Sequence, residues 1–133
     1  MTQWERFLST FFKWDVMIQY LPAIGRGFVV TCELAVLVVI CGISLGLILA
    51  LIRSYQIKII NYFIICLVDI LRSLPPLVLI LLFYFGLPNV GLNLSGFMVV
   101  ILVLSFVLGS FAEEIFWAGI TSIHEGQWEA SRS

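Results

Sequence analysis

The sequence predicts an all-α membrane protein with three transmembrane helices, and three observations carry that prediction. The 133 residues are 62% hydrophobic and only 11% charged, against about a quarter charged in soluble domains. Mean hydropathy is +1.13. The apolar residues also gather into three long stretches, expected at 28–52, 59–87 and 96–121, each at or near the length that crosses a bilayer.

The first 27 residues are expected to form an N-terminal segment at the membrane interface, and residues 28–133 the membrane domain. "MTQWERFLSTFFKWDVMIQYLP" mixes acids and bases with aromatics, and its apolar residues are too interrupted for a cleavable signal. Trp4, Phe7, Phe11, Phe12 and Trp14 suit a helix lying where aromatic rings collect. An ordinary leader before the first span is the plainer alternative.

Stretch 28–52 carries a single charge, Glu33, and is long enough to cross a ~30 Å hydrocarbon core with some tilt. Gly42 and Gly46 stand at GxxxG spacing, continued by Ala50, a stripe that suits close approach of another helix, although the spacing also arises by chance. Arg53 and Lys58 then fill a short loop.

Stretch 59–87 would be roughly 44 Å long as one helix at ~1.5 Å per residue, too long for one upright span and too short for two. Within it, "DILRSLPPL" places Asp69 and Arg72 at i, i+3 before two prolines, and Pro75 pushes Leu74 away from helical geometry. A kink is the natural result. Each charge costs about 2.5 to 3.5 kcal/mol at a helix centre, where a Leu or Ile returns only about 0.3 to 0.6. Asp69 and Arg72 therefore either pair and fix the kink or line a polar path.

The third stretch follows the uncharged loop "GLPNVGLNLSG". Its apolar run reaches Ala112, about 24 Å from its start, so the helix is expected to continue through Glu113 and Glu114. The two glutamates read as an interfacial collar, a polar lining or partners for Arg72. Lys and Arg counts tie across the membrane, but their density at 53–58 favours a cytoplasmic position for that loop and for the C-terminal tail, with the N-terminus outside.

No catalytic constellation is legible. The one histidine, His124, has no second His or Cys at ligand spacing, and Cys32, Cys41 and Cys66 all lie in apolar runs, so no metal, cofactor or disulfide is expected. The low content of Lys and Arg excludes a nucleic-acid footprint. The tail "ITSIHEGQWEASRS" leaves the apolar regime: Ser122 with Glu125 forms a nominal capping box, and Gly126, Gln127, Trp128, Glu129 and Ala130 suit a short polar helix with a Trp anchor, a docking element as readily as a loop.

From about Trp14 onward the sequence resembles the N-terminal part of the permease subunit of bacterial ABC importers for polar amino acids, the histidine, glutamine and glutamate type. "LPAIGRGFVVTCELAVLVVICGISLGLILALIR" is similar to the first core helix of that family. In "DILRSLPPLVLILLFYFGLP", Asp69, Arg72, Pro75, Tyr84, Phe85, Gly86 and Pro88 fall on its pattern. In "AEEIFWAGITSIHEGQWEASRS", Glu114, Gly119, Ile120, Gly126, Gln127, Glu129 and Ala130 match the run into the family's cytoplasmic EAA loop.

The resemblance implies a type I importer core in the bacterial inner membrane, with coupling segment 122–133 seated on a separate ATPase subunit. It further implies a second permease subunit, in a homo- or heterodimer, and a periplasmic or lipid-anchored amino-acid-binding protein. The family pattern continues with further membrane helices, so the resemblance implies a chain cut in the coupling loop: a fragment, a split subunit or a truncated product. A small membrane protein or decayed fragment that binds or regulates a transporter is the alternative. Trp117 stands where the family has an Arg, which removes an expected i, i+3 partner of Glu114, and Ser131 replaces the second Ala of the EAA triplet.

Overall fold

The computed structural model describes residues 2–122. They form five α-helices: α1 Gln3–Phe11, α2 Trp14–Ser54, α3 Lys58–Ser73, α4 Pro76–Gly86 and α5 Gly96–Thr121, with a 3-10 turn at Leu87–Val90 between the last two. The helical stretch ending at Ser54 and α5 are long and apolar enough to cross a membrane, and the bent pair α3 and α4 makes a third if it is taken as one span. The chain divides into two compact units after Glu33, within α2.

In the first unit, α1 opens on a capping box. Thr2 Oγ1 accepts from the Glu5 N–H at 3.3 Å, and the Glu5 carboxylate accepts from the Thr2 N–H at 2.9 Å. Two orphan donors of the first turn are thereby satisfied. Phe12 and Lys13 interrupt the helix, and α2 starts at Trp14, well before the apolar stretch at 28. Its early part tolerates Pro22 inside the helix.

In the second unit, α2 packs on α5 through small residues. Gly42, Gly46 and Ala50, each four residues from the last, are the buried residues of α2. A Cβ on Gly46 would lie 2.6 Å from the Ala112 Cβ and 2.8 Å from the Gly109 carbonyl oxygen, and one on Gly42 would meet the Leu108 side chain at 2.9 Å. Only glycine permits that approach of backbones. Because residues 42 and 46 face 108 and 112 in the same order, α2 and α5 run parallel. The α2–α3 turn and the C-terminus of α5 therefore lie at the same end of the unit.

The turn is three residues, 55–57, with Gln56 in the left-handed region at φ 57°. Leu74 takes extended geometry (φ −98°, ψ 137°) ahead of Pro75, and Pro76 opens α4, so the chain bends by 103° between α3 and the segment ending at Val90. Both prolines act where their rings cost least, the first by restricting its predecessor and the second at a helix start that needs no N–H. Leu79 of α4 joins Val99, Val103 and Val107 of α5 in an aliphatic core, with Leu71, Ile80, Phe83, Leu87 and Leu102 packed against it. Gly91 at φ 84° turns the chain, and Ser95 caps α5 by accepting from the Met98 N–H.

Candidate functional site

Five charged side chains of the second unit, Arg53, Asp69, Arg72, Glu113 and Glu114, converge on α5. Successive helix residues point about 100° apart, so the adjacent Glu113 and Glu114 reach different neighbours. Glu113 turns toward α2, where Arg53 Nη1 donates to its Oε1 at 2.9 Å and to Oε2 at 3.3 Å. Its side chain is fully buried and that of Arg53 is 13% exposed. Trp117, one turn further along α5, places its ring 4.5 Å from the Arg53 guanidinium carbon. Carboxylate and ring electrons thus share one cation.

Glu114 turns toward α3. Arg72 Nη2 lies 2.9 Å from Asp69 Oδ1 on its own helix and 2.9 Å from Glu114 Oε2 on α5. Here the side chains are 28% exposed for Arg72, 58% for Asp69 and 46% for Glu114. Ser73 immediately before the break donates to the Asp69 carbonyl oxygen at 2.6 Å. The cluster therefore ties the end of α3, where the chain bends, to the middle of the second half of α5.

Of the residues singled out from sequence, Asp69, Arg72 and Glu114 come together, whereas Glu113 does not join them. Arg53 corrects the sequence reading. It sits in the last turn of α2, not in a loop, and neutralises Glu113. A signal for it was present: Arg53 follows Gly46 and Ala50 at helical spacing, on the face that meets α5. Trp117, read as the loss of a partner for Glu114, instead covers Arg53, and Arg72 supplies the cation to Glu114 from another helix.

Gly42 and Gly46 lie on the α2–α5 contact. Gly126, Gln127, Trp128, Glu129 and Ala130, together with His124, lie outside the described residues. Among the described residues, no three His, Cys, Asp or Glu side chains group as metal ligands. Asn61 Oδ1 and Ser105 Oγ are buried polar atoms without a hydrogen-bond partner there.

No protein-family model matches the chain. It is 36% identical over 107 residues to a probable glutamine ABC transporter permease protein, GlnM, of Bacillus subtilis (strain 168), covering 80% of this chain and 50% of the relative. The L-cystine transport system permease protein TcyB of the same organism is 32% identical over 124 residues, 92% of this chain and 53% of the relative. A solved structure described as an amino acid ABC transporter with histidines superposes with a TM-score of 0.78 at 33% identity, covering 88% of this chain and 55% of that one. The chain spans about half the length of the curated relatives it matches.

Proposed function

The chain belongs, over the part it spans, to the amino-acid ABC transporter permeases, and from that premise we propose that it works in an ATP-driven amino-acid importer as part of the membrane path. In this reading α2 to α5 contribute to a helix bundle that alternates between inward- and outward-facing states. A separate cytoplasmic ATPase hydrolyses ATP. A second permease subunit completes the path, and an extracytoplasmic binding protein delivers the amino acid.

The observation that carries the coupling part of the proposal is the parallel run of α2 and α5. It puts Ser122, at the C-terminus of α5, at the same end of the unit as Arg53 and Lys58. By the density of Lys and Arg that end faces the cytoplasm of a bacterial inner membrane, with the N-terminus outside. In this reading segment 122–133, with Gly126, Gln127, Trp128, Glu129 and Ala130, is the part of the chain that docks on the ATPase. The Glu113 and Glu114 pairs hold α5, the helix from which that segment departs, to α2 and α3.

The test is Glu129→Lys in the assembled transporter. Transport-stimulated ATP hydrolysis is expected to fall while the complex still assembles. An assembled complex with undiminished coupled hydrolysis overturns the coupling role.

A further inference from the structure

The first unit holds a surface that neither the membrane path nor the coupling role uses. At ~100° per residue, Trp4, Phe7, Leu8 and Phe11 of α1 fall within an arc of about 100°, and Gln3, Glu5, Arg6, Ser9 and Thr10 occupy the remainder. All four apolar side chains are exposed. The rings meet along the arc, Trp4 stacked on Phe7 with centroids 5.7 Å apart and Phe7 tilted against Phe11 at 4.8 Å.

The helix that follows is long and apolar enough to cross a membrane. Two residues beyond α1, the first turns of α2 place exposed Trp14, Met17, Ile18 and Leu21 on one side and Asp15 and Gln19, with Val16 and Tyr20, on the other, and α2 is uncharged from Leu34 to Ile52. Aromatic rings on a short amphipathic helix beside a span are the side chains that favour the boundary between headgroups and acyl chains. Charge does not select the site, because Glu5 and Asp15 balance Arg6 and Lys13.

We propose that α1 is a membrane-interface anchor, with Trp4, Phe7, Leu8 and Phe11 inserted at the headgroup–acyl boundary by apolar burial and with no requirement for anionic lipid. Its capping box fixes the helix start, so the four side chains are arrayed on one face before they meet the bilayer.

Nitroxide accessibility tests it on the whole protein in nanodiscs, with Cys32, Cys41 and Cys66 replaced by alanine and one label at Phe7→Cys, Phe11→Cys or Ser9→Cys. In phosphatidylcholine discs, the ratio of oxygen to nickel-chelate accessibility is expected to be several-fold higher at 7 and 11 than at 9. Adding phosphatidylglycerol is expected to leave that difference unchanged. Equal ratios at all three positions overturn the proposal. So do labels at 7 and 11 shielded from both reagents, which means that a protein surface covers the face, or a difference that emerges only with the anionic lipid. Two labelled positions on the apolar face keep the outcome readable if one substitution disturbs α1.

Discussion

Glu113 and Glu114 are neighbours in the chain and opposites in environment. Glu113 is sealed between α2 and α5, with one arginine donating to both of its oxygens and an indole ring behind that arginine. Glu114 stands nearly half exposed and shares Arg72 with Asp69. A buried carboxylate without its cation is strongly destabilising, whereas a partly exposed pair contributes little. The same residue type one position apart is thus a buried anchor on one side of α5 and a partly exposed tether on the other. The interfaces differ as well: small residues bring α2 against α5 with no room for a methyl group at Gly46, and α4 meets α5 through branched aliphatics.

The largest expected effect comes from breaking the anchor. Arg53→Met leaves Glu113 buried and unpaired and is expected to destabilise the folded unit by about 3 to 5 kcal/mol, read as a fall in thermal stability of the purified protein in detergent. Arg53→Met with Glu113→Leu removes both charges and is expected to regain much of that loss. Equal destabilisation by the single and double variants means that the two side chains do not depend on each other.

Gly46→Leu comes next. A Cβ at Gly46 already meets a backbone carbonyl of α5, so the two helices must separate, at a cost of about 1 to 3 kcal/mol. Gly42→Ala meets only the Leu108 side chain and is expected to cost less. Disulfide trapping between cysteines placed at Leu45 and Gly109 reports the separation directly. Trapping as efficient in Gly46→Leu as in the parent protein contradicts the close packing.

These expectations show which features were legible in the residues. The bend at Leu74 follows from two prolines acting on their immediate neighbours, and local sterics need no knowledge of the rest of the fold. The membrane class follows from composition alone. Arg53 was harder, because its position just after an apolar stretch reads as a loop charge, and its partner lies 60 residues away in the chain. The small-residue stripe that ends at Ala50 marks the face it shares, but a stripe does not say which helix will meet it. Trp117 makes a contact that is hidden for a related reason. Judged against its own helix it removes a partner from Glu114, and only the packing of α2 on α5 reveals the cation beneath it.

Trp117 gives the third prediction. Trp117→Ala removes a ring from Arg53 and is expected to cost about 0.5 to 2 kcal/mol, part of it recovered by Trp117→Phe, which keeps an aromatic face. The comparison is sharpest in the Arg53→Met background, where the ring has no cation to cover. If Trp117→Ala costs as much there as in the parent protein, the contact with the guanidinium contributes nothing beyond packing.

The smallest effect is expected at the tether. Arg72 serves Asp69 within α3 and Glu114 across to α5 with the same nitrogen, so removing either carboxylate leaves the other in place. Asp69→Asn and Glu114→Gln are each expected to change stability by less than about 1 kcal/mol, as partly exposed pairs do. Asp69→Asn with Glu114→Gln strands Arg72, so the double variant is expected to lose more than the two single losses combined. Simple additivity, measured by the same thermal unfolding, means that the two carboxylates do not share the arginine.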